Sequence, residues 1–323
     1  MRASGQEQSE RGELTPKPGD APASVQGIDW AGPTPEEVAV VRRHPNFAAA
    51  MQASMRVPLD LYQGNRLVNL IINDRGRYVL SMFALHLHYA RRPDAPTSGL
   101  TAARLQAMCA QEKVCSFGRA GALISLLRWT GYLAPAPAAQ DRRVRLLMPT
   151  DKLMAMHRER WRRQLGAVAL VLPEAGDALT HFDHPAFGPA FTAAQAREFL
   201  GGFRLLNDAP EVQFFADRNA GLFILFSIAL AGAPDDAVPP TRLVAISASA
   251  LAKRFHVSRS HVITLLRDAV DAGLLERPGA QNEFRMTPRL RETTQNVLAT
   301  LHVFTAAAAR AALDAVARER AAA

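Results

Sequence analysis

Cysteine is scarce in this sequence, and its scarcity excludes two kinds of architecture. The 323 residues include two cysteines, Cys109 and Cys115, close together in the chain. Such a pair supports neither a disulfide framework nor a zinc site made of four cysteines or of paired cysteines and histidines. Residues 1–33 also lack the apolar core of a signal peptide, and their polar, Pro- and Gly-interrupted composition predicts a disordered N-terminal tail. We therefore expect a cytoplasmic protein.

Long apolar runs are missing as well. The longest uncharged apolar stretch, AGLFILFSIALAGA at residues 220–233, is shorter than the roughly 20 residues that span a bilayer. It predicts a buried helix, and we expect no membrane partner. The larger apolar side chains elsewhere are expected to pack within or between domains rather than to line a ligand site; they include Met51, Met55, Met82, Trp129 and Trp161.

Signatures of catalysis and metal binding are also absent. The sequence contains no Gly-rich phosphate loop, no nucleophile elbow and no HExxH motif. His86 and His88 are two positions apart on a predicted helix, where side chains diverge. His181, Asp183 and His184 have the spacing of metal ligands but no further ligands nearby. The sequence therefore predicts a protein that is not an enzyme and has no cofactor or metal.

Positive charge is what the sequence has in excess. The 38 lysines and arginines outnumber the 30 aspartates and glutamates, which gives a net charge of +8 and a pI of about 10.1. A basic chain of this kind favours a polyanionic partner.

The sequence carries an internal duplication. DRGRYVLSMFALHLHY, from Asp74, matches DRNAGLFILFSIALAG, from Asp217. Downstream, SFGRAGALISLLRWTGYL repeats the apolar spacing of residues 258–275, and upstream HPNF matches HPAF at a similar offset. Because order and offset are both kept, we predict two domains of one architecture. We place the first copy at residues 34–172 and the second at 173–323 with a long C-terminal helix, joined through residues 173–176.

Residues 246–277, ISASALAKRFHVSRSHVITLLRDAVDAGLLER, have the pattern of a helix-turn-helix. Ser247 and Ser258 are predicted N-caps of its two helices. Gly273 follows the second helix where a left-handed C-terminal residue is needed, and Leu274 opens a strand.

A hairpin and a further helix follow each of these elements. In the first copy the predicted strands are Tyr132-Leu133 and residues 142–148; in the second, a turn at Pro278-Gly279 leads to a strand at residues 282–286. The other predicted N-caps are threonines: Thr34, which begins the ordered chain, Thr150, Thr192 for a helix over residues 192–206, and Thr287.

This order of helix, helix-turn-helix, hairpin wing and helix resembles the winged helix-turn-helix of the MarR family of bacterial transcription regulators. The likeness rests on SRSHVITLLRDAVDAGLLER in the second copy and on GRAGALISLLRWTGYL with RRVRLLMPTDKL in the first. It implies a mainly α fold of tandem winged helix-turn-helix domains with small β-hairpin wings in a pseudo-two-fold arrangement. It also implies double-stranded DNA as partner and a pocket for a small aromatic effector. Family members carry one such domain and dimerise, so this chain would be a monomeric pseudo-dimer or would pair again as a homodimer.

The resemblance assigns roles to individual residues, because the second helix of the motif reads bases while the wing and nearby cations hold phosphates. In the second copy the groove-facing residues are Ser258, Arg259, Ser260, His261 and Thr264, and the phosphate contacts are Arg254, Arg277 and Arg285. In the first copy the set is Ser116, Arg119 and Ser125, with Arg142, Arg143 and Arg145 on the wing.

We therefore expect a sequence-specific transcription regulator associated with the nucleoid in the cytoplasm. Two alternatives stay open: a plasmid replication initiator with tandem winged helices, and a protein-binding tandem winged-helix module of a chromosome-organising complex. Phosphate contacts make affinity depend steeply on salt, which separates DNA binding from protein binding. Clustered repeats at a single origin would indicate the initiator.

The two recognition helices differ in sequence, so the operator should consist of two unlike half-sites about 34 Å apart. Binding-site selection with the full chain and random duplex DNA measures this directly. A perfectly palindromic consensus would contradict reading by the two unlike helices of one chain.

Overall fold

The computed structural model describes residues 32–61, 75–92, 94–95, 98–137, 145–279 and 282–322, without the side chains of Arg75 and Arg77. This part of the chain is mainly helical, with small antiparallel sheets. The mainly α class predicted from sequence is therefore confirmed at that level. The predicted tail lies outside the described residues, apart from Gly32 and Pro33.

The first copy contains six described helices and two strands. They are α1 (Pro35–Arg43), α2 (Phe47–Leu61), α3 (Arg75–Tyr89), α4 (Ala102–Gln111), α5 (Phe117–Trp129), β1 (Leu133–Pro135), β2 (Leu147–Pro149) and α6 (Asp151–Val168). Helix α1 begins in the predicted capping box, where the Thr34 hydroxyl accepts from the Glu37 amide and the Glu37 carboxylate accepts from the Thr34 amide. The returning strand lies slightly later than the predicted 142–148, and residues 138–144 are outside the described chain.

Among the described residues, the second copy has a similar order with one more helix and one more strand. Its elements are α7 (Pro173–Thr180), α8 (Phe187–Leu200), α9 (Pro210–Ala216), α10 (Gly221–Ala229), β3 (Val244–Ala245), α11 (Ala248–Phe255), α12 (Arg259–Asp271), β4 (Leu275–Glu276), β5 (Glu283–Met286) and α13 (Pro288–Ala322). Helix α10 confirms the buried helix expected at residues 220–233.

Two local predictions are wrong in this copy. Residues 173–176 form the first turn of α7 rather than a linker, because Pro173 is accommodated at the first helical position. Thr192 does not cap a helix: it lies buried inside α8, and its hydroxyl donates to the Gly188 carbonyl at 2.8 Å. The helix begins earlier because Phe187 and Phe191 extend its buried face towards the N-terminus.

The small sheets have related topologies in the two copies. In the second copy the strand order is β3-β5-β4, and both pairings are antiparallel. In the first copy β1 pairs with β2, and Thr101 forms an isolated antiparallel bridge with Leu146, immediately before β2. In each copy, therefore, the residues just before α4 or α11 pair with the returning strand of the hairpin that follows.

The backbone around the wing is duplicated in detail. Gly131 and Gly273, which end α5 and α12, have left-handed φ angles of 73° and 66°. The amide of Thr150 donates to the Tyr132 carbonyl at 3.0 Å, and that of Thr287 donates to the Leu274 carbonyl at 3.1 Å. The expected side-chain cap at Thr150 is wrong, because its hydroxyl donates to the carbonyl of Gly131 at 2.7 Å.

The upstream match is duplicated as well. The His44 ring nitrogen Nδ1 accepts from the Asn46 amide at 3.1 Å, and His184 Nδ1 accepts from the Ala186 amide at 3.3 Å. Both histidines precede a helix whose first residue is a buried phenylalanine. The duplication inferred from sequence thus extends to equivalent helix starts.

The two copies pack on each other through equivalent contacts in both directions. Helix α1 of the first copy packs on α13 of the second, and α7 of the second packs on α6 of the first. Likewise α3 packs on α8, and α10 packs on α2. Helices α6 and α13, which hold equivalent positions in the two copies, also contact each other. The packing therefore interlocks the copies reciprocally.

The hydrophobic core is continuous across residues 172 and 173. Phe83 of α3 meets Phe199 of α8 edge to face with ring centroids 5.4 Å apart, and Trp161 of α6 meets Phe191 of α8 at the same distance. The division into domains at 34–172 and 173–323 stays a prediction, and the core is shared by the two copies where they meet.

Helix α13 is the one helix in the described chain that is long and apolar enough to cross a membrane by length and composition, although 56% of its most apolar stretch is buried. A core helix of a soluble protein has the same composition. Its buried residues face α7, α8 and α1, which accounts for its apolar character.

Polar side chains are buried at the contact between the copies. Ser54 Oγ of α2 is hydrogen-bonded to His302 Nε2 of α13 at 2.8 Å and accepts from Gln164 Nε2 of α6 at 3.1 Å. Within the first copy, His157 Nε2 of α6 is hydrogen-bonded to Ser81 Oγ of α3 at 3.0 Å. Burial lowers the pKa of His302 to about 4 and that of His157 to about 3. Both rings are therefore neutral at pH 7.

Acid should destabilise the fold through these two histidines. Each has a folded-state pKa below the unfolded value of about 6.5, so the stability that it supports is complete above that pH and is lost as the pH falls towards the folded value. Between pH 7 and 5 the loss should be about 2 kcal/mol for each histidine. Urea denaturation at both pH values should show a smaller loss for His302→Gln than for the wild type.

The matched control is His256→Asn, at an exposed position where asparagine tolerates the left-handed backbone. This variant should keep the wild-type difference between the two pH values. An unchanged pH dependence in His302→Gln would contradict the assignment.

Candidate nucleic-acid interface

The helix-turn-helix of the second copy is built as its sequence predicts. The Ser247 hydroxyl accepts from the Ala250 amide, and the Ser258 hydroxyl accepts from the His261 amide at 3.0 Å. His256 takes a left-handed conformation with φ 52°, which closes the turn between the two helices. The apolar faces of α11 and α12 are buried, which leaves the outer face of α12 exposed.

Seven of the eight residues assigned to the interface in this copy are exposed, and His261 is the exception. The exposed residues are Arg254, Ser258, Arg259, Ser260, Thr264, Arg277 and Arg285. The first turn of α12 groups Arg259 and Ser260, and Thr264 follows one turn later on the helix. The Ser258 and Ser260 hydroxyls are 3.0 Å apart and hydrogen-bonded. Arg254 and Arg277 lie over the rings of Phe255 and Phe284, which orients their guanidinium groups without neutralising them.

His261 is not free to read bases with both ring nitrogens. Its side chain is half-buried, and Nε2 donates to the Asn219 carbonyl at 2.9 Å. This bond ties the start of α12 to the loop before α10. The sequence offered no sign of it, because Asn219 is distant in the chain and contributes only a backbone oxygen. We assign His261 a positioning role at this helix.

Arg285 is paired within the wing. Its Nε donates to Glu276 Oε2 at 2.7 Å, across the β4–β5 pair where these two residues are opposite each other. Opposite charges at directly facing positions of two strands attract. Arg285 is thus less available to phosphate than the other arginines of this copy. The hairpin predicted from sequence placed residues 282–286 on the strand facing Leu274-Leu275, and the observed register pairs Glu276 with Arg285.

The first copy presents a different helix face. The Ser116 hydroxyl accepts from the Arg119 amide at 3.3 Å, and Ser116, Arg119, Ser125 and Arg145 are all exposed. Arg142 and Arg143 lie outside the described residues.

Two exposed aromatic residues flank helix α5. Phe117 opens the helix with 53% of its surface exposed, and Trp129 ends it with 77% exposed. The expectation that Trp129 packs in a core is therefore wrong, whereas Met51, Met55, Met82 and Trp161 are buried as predicted. Trp129 occupies the last turn of α5, whose buried face is formed instead by Ala120, Ile124 and Leu127.

Arg267 was missed among the candidate residues. It is exposed on α12, two turns after Arg259, and its guanidinium lies 3.3 Å from the Asp268 carboxylate. Positions four apart share a helix face, so 259, 263 and 267 form one row. Ile263, in the middle of the row, is 46% exposed. The spacing alone could have identified this row.

A cleft with a volume of about 320 Å³ lies along α6. It is lined by Asp151, Met154, Ala155, Arg158, Glu159 and Arg162. Four of these six residues are charged and none is aromatic. The aromatic effector stays a prediction.

Three of the residues considered as metal ligands have other partners in the structure. Asp183 pairs with Arg158 and Arg162, the His184 Nδ1 accepts from the Ala186 amide before α8, and the His181 Nδ1 accepts from Arg320 at 3.3 Å. The described residues contain no group of three or more His, Cys, Asp or Glu side chains placed to hold a metal ion.

Comparison with protein-family models, curated proteins and solved structures finds no match for this chain. The geometry of the two helix-turn-helix elements is therefore the basis for any functional assignment.

The Ser258 cap should contribute measurably to stability. Replacing Ser258 with alanine removes the acceptor for the His261 amide, so the free energy of unfolding should fall by about 1 kcal/mol. The control is Ser260→Ala on the same turn, which leaves that amide bonded. Equal unfolding free energies for both variants in chemical denaturation would contradict the role of Ser258.

Proposed function

We propose that this chain binds double-stranded DNA as a sequence-specific regulator through two winged helix-turn-helix units. One observation carries the proposal. In the chain, a helix-turn-helix lies between strands β3 and β4 of one small sheet, and the first turn of its second helix exposes Arg259 and Ser260 to solvent. The order α10, β3, α11, α12, β4, β5 is that of a winged helix, in which the second motif helix enters the major groove.

The first copy supports the same proposal. Its order is α3, the Thr101 bridge, α4, α5, β1 and β2, with equivalent strand pairing. The reciprocal packing of the copies would give the chain the pseudo-two-fold arrangement that two separate subunits form in a dimer. A duplex with two half-sites would then meet two helices of one chain.

The chemistry of α12 favours base reading. Within the described chain, Arg259 has no ion pair and its side chain is exposed, so its guanidinium can form two hydrogen bonds with the O6 and N7 atoms of guanine. Ser260 and Thr264 can donate to or accept from base edges. Arg254, Arg277 and Arg145 supply exposed cations for phosphates.

Arg259→Ala is the first test of this assignment. If Arg259 pairs with guanine, its loss should cost about 1–3 kcal/mol of discrimination at one base pair of one half-site. The measurement compares selected duplexes with single-base variants by fluorescence anisotropy. The matched control is Arg285→Ala, which removes the same charge from the same unit but from a guanidinium bonded to Glu276. Arg285→Ala should leave the base preference unchanged.

Failure would be clear in this experiment. If the wild-type chain shows no sequence preference among duplexes at low salt, the proposal is overturned. If Arg259→Ala keeps the full preference at every base pair, α12 is not the reading helix. Titration at several salt concentrations adds an independent measure, since each phosphate contact contributes about −0.9 to the slope of log K against log salt.

The two alternatives have distinct outcomes. A replication initiator would bind repeats clustered at one origin, whereas a regulator would bind dispersed sites in genome-wide mapping. The observation that supports the alternative of a protein-binding module is the exposure of Trp129, which is larger than that of any other described large apolar side chain. That module would bind DNA weakly and without sequence preference.

A further inference from the structure

The two proposed recognition helices differ in chemistry at their first position. Ser116 and Ser258 hold the same N-cap role, so Phe117 of α5 corresponds to Arg259 of α12. The next positions bear Gly118 in the first copy and Ser260 in the second. The position of Arg259, which is proposed to form hydrogen bonds with a base, is thus occupied by an apolar ring in α5.

Phe117 is exposed although it is one of the larger apolar side chains of the protein. Its surface is 53% exposed, and the described part of the chain places no other aromatic ring against it. Gly118, beside it, has no heavy atom within 4 Å of where a Cβ would lie. The exposed ring of Phe117 therefore lies next to a position that has no side chain and open space around it.

The turn that carries Phe117 is held from beneath. Gln106 of α4 donates its Nε2 hydrogen to the Phe117 carbonyl at 3.3 Å. A Cβ at Gly121 would approach that same nitrogen to 2.7 Å, so the absence of a side chain there makes room for the Gln106 amide. The exposed ring is thus attached to a backbone fixed by the preceding helix.

A phenyl ring recognises a base differently from a guanidinium. It forms no hydrogen bonds with base edges, but it makes apolar contact with the C5-methyl group of thymine, the one apolar group in the major groove. We propose that Phe117 selects thymine in the first half-site through apolar contact. Arg259 would instead select guanine in the second half-site through hydrogen bonds. This inference rests on the proposed DNA binding.

Charge in the first copy favours DNA over an apolar protein partner for Phe117. Arg119 is exposed two residues after Phe117 on α5, and Arg145 is exposed two residues before β2. Together with the net charge of +8 on the chain, these exposed cations suit a polyanion. Trp129, at the opposite end of α5, lies outside this arrangement and is available as a control.

The test replaces thymine by uracil, which lacks only the C5-methyl group. The probes are the duplexes returned by selection on the full chain, with each thymine of the first half-site changed to deoxyuridine in turn. At the contacted position the wild-type protein should lose about fourfold in affinity, the amount expected for one buried methyl group. Phe117→Ala should bind the thymine and uracil duplexes equally.

Two variants keep the result interpretable. Phe117→Leu keeps an apolar side chain and should retain part of the preference for thymine. Trp129→Ala removes an exposed aromatic ring from the same helix and should keep the wild-type preference in full. Because Phe117 and Trp129 are both exposed, their replacement should leave the thermal unfolding midpoint almost unchanged, and a large shift would identify a folding defect.

The outcomes separate the two levels of inference. A wild-type chain without sequence-specific DNA binding overturns the proposed function itself. Specific binding that is insensitive to uracil at every thymine of the first half-site overturns the role of Phe117 alone. Sensitivity that persists in a folded Phe117→Ala variant overturns it as well, because another group then contacts the methyl.

Discussion

The reciprocal packing of the two copies is the constraint on which the rest of the structure depends. Helices α1 and α7 each pack on the long helix of the other copy, and α3 and α10 each pack on the second helix of the other copy. One buried hydrogen bond also joins the copies, since Ser54 of the first copy is the partner of His302 Nε2 of the second. Buried polar groups are costly without partners. The Nε2 atom of His302 finds its partner in the other copy, so this bond helps to specify how the two copies meet.

This interlock bears on how the two exposed helices could act. Helices α3 and α10 precede the two helix-turn-helix elements and are themselves packed into the opposite copy. A shift of one unit against the other would disturb the core contacts of Phe83 with Phe199 and of Trp161 with Phe191. Close-packed interiors resist such shifts. The chain should therefore present α5 and α12 in one fixed relation, as the proposed reading of two half-sites requires.

Hydrogen bonds between residues close together in the chain were predictable from sequence, and hydrogen bonds between distant residues were not. The caps at Thr34, Ser247 and Ser258 involve partners three residues away, so their patterns predicted them correctly. Thr192 carried the same local signal but lies inside α8, because burial of Phe187 and Phe191 favours an earlier start. The exposed residues of α12 followed from helical spacing. The bond from His261 to Asn219 did not, since its partner is a backbone oxygen far along the chain.

The duplication itself shows where the copies are constrained and where they differ. Gly131 and Gly273 share a left-handed backbone, and Thr150 and Thr287 share an amide hydrogen bond to the residue that precedes the first strand of the hairpin, so the backbone around the hairpin is the same in both copies. At the first turn of α5 and α12, neither a special backbone conformation nor core packing restricts the side chain at the first position. Phe117 and Arg259 are both exposed, and changing either costs little packing energy. Differences at such positions have small effects on stability. The contrast between an apolar ring and a guanidinium therefore bears on what each helix contacts, which is why the two copies of one scaffold would read different bases.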